Sequence, residues 1–257
     1  MKKRKRRAAA ILKSAAYREA DRDIDFLNDD ATRGLRLQLE YLKAESILQR
    51  HRIGHTILVL GSTRVPRAAE SRYYQVAREF GRLAGRAGER RKGVRGAIVT
   101  GGGPGLMEAA NRGAYEVGAP SIGLNISLPR PQVPNPYITP ELCLRFRYFA
   151  LRKLHFLLRA RALVAFPGGF GTFDELFETL TLVQTGKIRP LPIVLVGEAY
   201  WRRAFDADFL VAEGMIEPRD RRLFGYAETA REAWRAIAAW YRRAGEPVFP
   251  PEKETKL

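Results

Sequence analysis

Cysteine is almost absent from this chain. The single residue, Cys143, excludes any intrachain disulfide framework. Histidine is nearly as scarce. With only His51, His55 and His155 beside that cysteine, a zinc site has too few ligands, and no metal or other cofactor is expected. No apolar run approaches the ~20 residues of a membrane span. The apolar stretch after the basic start, Ala8 to Leu12, is cut short by Lys13, so a secretory signal is not expected either. These absences fit a reducing cytoplasm and no membrane partner.

Acidic residues are also in deficit. Lys and Arg number 45 against 28 Asp and Glu, a formal net charge of +17, and six of the first seven residues contribute to it. Without those six the body is still at +11. Such a balance favours anionic partners. No basic motif interleaved with aromatics is found, so the run reads as a solvated tail and nucleic acid is not expected as a partner. Binding of nucleic acid through the tail stays as a lesser alternative, which a steep fall in affinity with salt would detect. What is present is globular. The 257 residues, 46% hydrophobic and 28% charged, suffice to bury a core without disulfides or metals.

There is no internal repeat. Residues 1–54 form a basic tail followed by a charged segment whose glycines are Gly34 and Gly54. Leu35, Leu37, Leu39, Leu42, Ile47 and Leu48 give it a partly amphipathic helical pattern, as an N-terminal extension packing on the core or on a partner subunit. Residues 55–250 read as one Rossmann-like domain. Strands are expected at Thr56–Leu60, Ala97–Thr100, Ser121–Ile126, Ala162–Phe166 and Pro192–Val196. Helices are expected at Ser71–Ala87, Leu106–Val117, Phe149–Ala160, Thr172–Thr185 and Thr229–Arg243. In the third of these, Phe149, Leu151, Leu154, Leu157 and Leu158 should face inward. Short apolar strands alternating with helices make an α/β fold, a doubly wound parallel sheet.

Three strands end in glycine turns: Gly61-Ser62-Thr63, GGGPG at 101–105 and PGGFGT at 167–172. One such turn only shows that the backbone bends sharply. Three at strand ends should open on one edge of the sheet, where ligands of such folds bind. In the third, Gly168, Gly169 and Gly171 clear space for a ligand beside the backbone. Thr172 is placed to cap a helix whose free N–H groups suit a phosphate. The GxxxxGK[ST] lysine of a P-loop is missing, and so is a dinucleotide fingerprint after the first strand.

These residues resemble a known family. PGGFGTFDE at 167–175 is similar to the PGGxGTxxE signature of the LONELY GUY (LOG) family, the cytokinin riboside 5′-monophosphate phosphoribohydrolases often labelled lysine decarboxylases. GGGPGLMEAANRGA at 101–114, FRYFALRK at 146–153, NPY at 135–137 and LTLVQTGKI at 180–188 carry the likeness from about residue 30 to 215. The resemblance implies that Arg152 and Glu175 are the catalytic pair. It also implies that Gly168, Gly169, Phe170, Gly171 and Thr172 hold the phosphate, with Lys153, Thr181, Gly102, Gly103, Ser62, Glu108 and Asn135 as further substrate contacts. The partners implied are a nucleoside 5′-monophosphate and a second copy of the chain, as a homodimer or higher homo-oligomer. Pro131 departs from the glutamate of longer members. Met107-Glu108 replaces the Met-Gly of short plant-type members, which points to the longer subgroup and leaves the base open.

The chemistry agrees with the assignment. Breaking an N-glycosidic bond develops positive charge on the ribose, which a carboxylate such as Glu175 stabilises while it activates water. Arginine does not readily give up a proton, so Arg152 is expected to act by charge and position. Outside the motif, Glu175 would be an ordinary glutamate near a helix start and Arg152 one surface arginine among many. Glu108 and Asn111 divide evenly between ligand contact and helix-end packing. His155 reads as a core or interface histidine. The alternative function is a non-catalytic nucleotide or cofactor carrier of the same fold, which would not need the Arg152–Glu175 pair. A decarboxylase would need a Schiff-base lysine, and Lys153 and Lys187 lack a cofactor-binding pattern around them.

Overall fold

The computed structural model describes residues 1–65, 71–89, 93–129 and 133–251. The chain separates into two compact units, Met1–Lys43 and Ala44–Leu257. Pro131 falls outside the described residues.

The first unit is helical. α1 (Lys2–Leu12) holds the basic run and buries none of its residues. α2 (Ile24–Asn28) starts where the Asp23 carboxylate accepts the Phe26 N–H. The Thr32 hydroxyl lies 2.8–3.1 Å from the Phe26, Leu27 and Asp29 carbonyls, with one proton to donate among them, and Arg36 donates to the Leu27 carbonyl at 2.7 Å. Polar side chains thus stitch a turn too short to hold itself. α3 (Arg33–Arg50) follows, and its last turns belong to the second unit.

The second unit is built on a seven-stranded sheet, every pairing parallel, in the order β4-β3-β2-β1-β5-β6-β7. The strands are β1 (Ile53–Leu60), β2 (Arg95–Thr100), β3 (Ser121–Ile126), β4 (Cys143–Phe146), β5 (Ala160–Ala165), β6 (Ile193–Val196) and β7 (Phe224–Ala227). The doubly wound α/β fold is therefore present. Strand order reverses between β1 and β5, the place where such sheets bind ligands.

Both faces of the sheet are apolar because helices cover both. Ile57, Val59, Ile98, Val164 and Val194 alternate onto one face. There they meet α4 (Arg72–Glu89), α5 (Leu106–Tyr115) and α10 (Ala230–Arg243). Leu58, Leu60, Val99, Leu163 and Leu195 take the other face. They meet Phe156 of α6 (Phe149–Leu157), Leu176 and Val183 of α7 (Phe170–Gln184), and Trp201 of α8 (Glu198–Ala204). A short α9 (Ala207–Ala212) follows.

The expected strands and helices are found, with shifted ends. β4 and β7 were not foreseen. β4 is reached from β3 through a connection whose described residues hold only a 3₁₀ turn at Pro140–Leu142, so the strand–helix alternation gives no cue. The helix expected over Phe149–Ala160 stops at Leu157, because Ala160 already pairs with Thr56 as β5 begins. Its inward face is also different. His155 and Phe156 are buried, while Phe149, Leu154 and Leu158 are exposed.

α4 and α5 cross with their backbones in contact. A Cβ on Gly81 would lie 2.1 Å from the Ala110 carbonyl oxygen, and one on Gly113 would lie 1.9 Å from that of Arg78. Neither oxygen can yield, since both belong to helix backbone. Alanine normally favours a helix over glycine by ~1 kcal/mol. Gly113→Ala is nevertheless expected to lower stability by about 2 kcal/mol through overpacking. A urea titration should show a lower midpoint at unchanged slope; an equal or higher midpoint would refute the contact.

Candidate active site

The three glycine turns meet at the carboxyl ends of β2, β1 and β5, which are neighbours in the sheet. They are also joined directly. The Ser62 N–H donates to the Pro167 carbonyl at 3.0 Å, and the Ser62 carbonyl accepts the Leu106 N–H at 3.0 Å. One residue after β1, through its two flanking peptide groups, thus ties the PGGFGT turn on one side to the GGGPG turn on the other.

Arg152, on α6, reaches over the GGGPG turn. Its Nε donates to the Leu124 carbonyl at 2.8 Å, and its guanidinium carbon lies 4.9 Å from the centre of the Phe156 ring. Gly101 makes room for it, because a Cβ there would lie 2.5 Å from Arg152 Nη2. Gly102 turns the chain at φ 73°, with the Asn125 amide where a side chain would be. A buried network fixes the turn. Thr100 Oγ1 bonds Asn111 at 2.7 Å and accepts the Gly102 N–H at 2.9 Å. The Asn135 amide donates to the Gly103 carbonyl at 3.0 Å and to Asn111 at 2.9 Å.

Glu175 approaches from α7. Its Oε1 lies 3.6 Å from Arg152 Nη2, and both side chains are nearly buried. Burial pushes the Glu175 carboxyl up to about 7, against the pull of Arg152. Burial also lowers the Arg152 pKa, with Glu175 and Asp174 acting the other way. A carboxyl group that titrates near neutrality beside a fixed guanidinium is the kind of pair expected of acid–base chemistry.

α7 begins earlier than expected. Gly169 is its N-cap residue and Phe170 its first helical residue, so Thr172 lies inside the first turn and does not cap it. Two adjacent glycines let the backbone enter the helix without a side-chain cap. The Thr172 side chain is buried instead against Gly168, where a Cβ would lie 2.1 Å from its Oγ1. The first N–H groups of α7 still lack acceptors within the helix, as an anion site requires.

The structure thus gathers Arg152, Glu175, Gly102, Gly103, Ser62, Asn135 and the Gly168–Thr172 turn. Other expected contacts are engaged differently in this chain. Lys153 flanks the pair, helping to lower the Glu175 pKa, while its own charge is held by Asp174 at 2.7 Å and Glu178 at 3.4 Å. Thr181 is exposed, six residues past Glu175 or about 9 Å along the helix axis. Glu108 is buried against α4, with the Tyr74 hydroxyl at 3.5 Å. Phe170 is 96% exposed. His155 is buried beside Glu45 at 3.4 Å. Glu45 in turn grips Arg159 through two bonds of 2.6 and 2.7 Å, which pins the end of α6.

The family model described as "Possible lysine decarboxylase" matches residues 107–237, just over half the chain. The chain belongs to this family, the LOG family. It is 32% identical over 156 residues to the cytokinin riboside 5′-monophosphate phosphoribohydrolase LOG7 of Arabidopsis thaliana, covering 59% of this chain and 68% of that one. It is 31% identical over 144 residues to the probable cytokinin riboside 5′-monophosphate phosphoribohydrolase LOGL3 of Oryza sativa subsp. japonica, covering 52% and 64%. The match thus spans a little under two thirds of the rice relative. Among solved structures, the molybdenum cofactor carrier protein of Chlamydomonas reinhardtii aligns with a TM-score of 0.48 and 22% identity, over 75% of this chain and 99% of that one.

Sequence reasoning missed some residues of this LOG-family site. Thr100 supports it from below, bonded to Asn111, which the sequence left between ligand contact and packing and which the structure places in the supporting network. Tyr200, on α8, donates its hydroxyl to the Gly168 carbonyl at 2.5 Å and packs edge-on against buried Trp201. Gly168 C=O and Gly169 N–H share one peptide plane and point opposite ways. Anchoring the carbonyl on α8 therefore aims the N–H away from α8. Removing the hydroxyl frees a peptide between two glycines to rotate. Tyr200→Phe is expected to weaken phosphate binding ~10-fold, the size of one lost hydrogen bond. Calorimetry with ribose 5-phosphate checks this, and an unchanged affinity would contradict it. The Glu175 carboxyl loses its proton as pH rises through about 7. If the carboxylate is the working form, kcat/KM should rise through the same interval. Arg152→Ala removes the charge that lowers this pKa, so the residual activity should inflect at higher pH.

Proposed function

We propose that this protein is a nucleoside 5′-monophosphate phosphoribohydrolase that cleaves the N-glycosidic bond to give free base and ribose 5-phosphate. One observation carries the reading: a buried carboxylate–guanidinium pair at 3.6 Å whose carboxylate stands on the helix that starts at the glycine-lined turn. The two parts match the two ends of a nucleotide sugar. The 5′-phosphate meets the N–H groups that open α7, and Glu175, in the second turn of that helix, faces the anomeric carbon. Water attacks that carbon as the bond to the base breaks. The carboxylate takes a proton from the water and stabilises the positive ribose. The base leaves with the electron pair of the broken bond, and the proton that Glu175 took from water passes to it directly or through solvent. Arg152 keeps its charge, positions Glu175 and meets the leaving base. Binding energy from the unreactive phosphate holds the ribose in register for this step. The activity for which the relatives are named supports the same reading.

The active species is read as a homodimer or larger homo-oligomer. Its support is the apolar surface left open on α6 and α7, where Phe149, Leu154, Leu158 and Phe177 are exposed. Among the described residues no helix is long and apolar enough to cross a membrane.

AMP, adenosine and ATP at equal concentration, assayed by chromatography of free adenine, test the reading. AMP should be cleaved and the other two poorly, because the turn is built for one phosphate. Cleavage of adenosine as fast as AMP would remove the phosphate anchor. Tight nucleotide binding without release of any base would favour the carrier alternative. Glu175→Gln should keep nucleotide binding and lose at least ~10²-fold in rate, the usual cost of a lost transition-state contact. Arg152→Lys should recover little, since a point charge does not replace the guanidinium fork.

A further inference from the structure

α1 puts six cations into a form that the sequence alone does not reveal. Lys2, Lys3, Arg4, Lys5, Arg6 and Arg7 occupy consecutive helical positions, and every residue of the helix is exposed. Successive residues turn by about 100°, so the six side chains leave the axis in every direction within about two turns. The charge forms a rod, not a face.

That shape discriminates between anionic partners. A membrane-surface helix needs its apolar and basic residues on opposite sides. Here Ile11 follows Arg4 by seven residues and Leu12 follows Lys5 by seven, so each apolar side chain shares its side of the helix with a cation. Pressing either into lipid would drag a charge along. A flat surface would also leave about half of the cations pointing away from it. Glu19, Asp21, Asp23, Asp25, Asp29 and Asp30 follow within the same unit, and a broad anionic plane would repel them. A groove with phosphates on both walls uses cations at every angle. The major groove of a B-form duplex is wide enough for one α-helix, whereas that of duplex RNA is too narrow.

The helix start points the same way. α1 has no acidic residue in its first turn and no side-chain cap. Its cations crowd the end where the helix dipole is itself positive, an arrangement that phosphates relieve.

We propose that α1 is a docking element for duplex DNA, seated in the major groove with its cations against the phosphates of both strands. The contacts are to backbone, so binding is independent of sequence. This inference does not depend on the hydrolase reading and can fail or hold apart from it.

The test uses the full chain and a fluorescently labelled DNA duplex of ~20 base pairs, titrated by anisotropy over a salt series. About five neutralised phosphates give an expected slope of about −4 to −5 in log K against log salt. K2Q/K3Q/R4Q/K5Q/R6Q/R7Q should flatten that slope by at least ~3 and lose at least ~100-fold in affinity at low salt. Ala8→Pro keeps all six charges and breaks the helix, and a loss of ~10-fold is expected from the lost geometry. Wild-type affinity in the six-fold variant would place DNA binding on the body of the protein and overturn the proposal. Wild-type affinity in Ala8→Pro would show that the rod is not used, and would overturn it too. Duplex RNA of the same sequence and vesicles containing phosphatidylserine complete the comparison. Equal or tighter binding to either would overturn the groove assignment.

Discussion

The site depends on two charges that water would normally separate. Arg152 and Glu175 lie 3.6 Å apart with little solvent, and the carboxyl titrates near 7 because burial outweighs the guanidinium beside it. Holding such a pair requires each partner to be fixed from outside. The Leu124 carbonyl and the Phe156 ring hold the arginine, the missing side chain of Gly101 leaves it space, and the Glu45–Arg159 contact pins its helix. Much of the architecture between β1 and β5 serves to keep this contact in one geometry.

That geometry also explains why one edge of the sheet is dense with glycine and with buried asparagine and threonine. Turns that cross so closely leave no room for side chains. Their carbonyl and amide groups need partners that are themselves out of water. Thr100, Asn111 and Asn135 provide them, and the result is a floor of hydrogen bonds under the mouth of the site.

Much of this was legible in the sequence. The apolar strands announced a parallel sheet, and PGGFGT and GGGPG announced where its ligand edge lies. Arg152 and Glu175 could be named because a motif spans them, although 23 positions separate them. Other features left no such trace. β4 follows a connection without an α-helix in its described residues, so alternation could not find it. The start of α7 shifted from Thr172 to Phe170 because two glycines made a side-chain cap unnecessary. The burial of Phe156 in place of Phe149 on α6 is decided by which side of the helix meets the sheet, and every side of that helix carries apolar residues. Tyr200 stands beyond the motif, and only the folded chain brings its hydroxyl to Gly168.

Ser62 joins the turns through its peptide groups, donating with N–H and accepting with C=O, and not through its hydroxyl. Any residue able to take the same backbone path would make an identical joint. The joint that welds the two halves of the site together is therefore independent of the side chain it carries. A change of residue here would cost the hydroxyl that accepts the Arg64 N–H at 3.0 Å, yet leave the weld in place, and comparison of residue identities across relatives would pass over it.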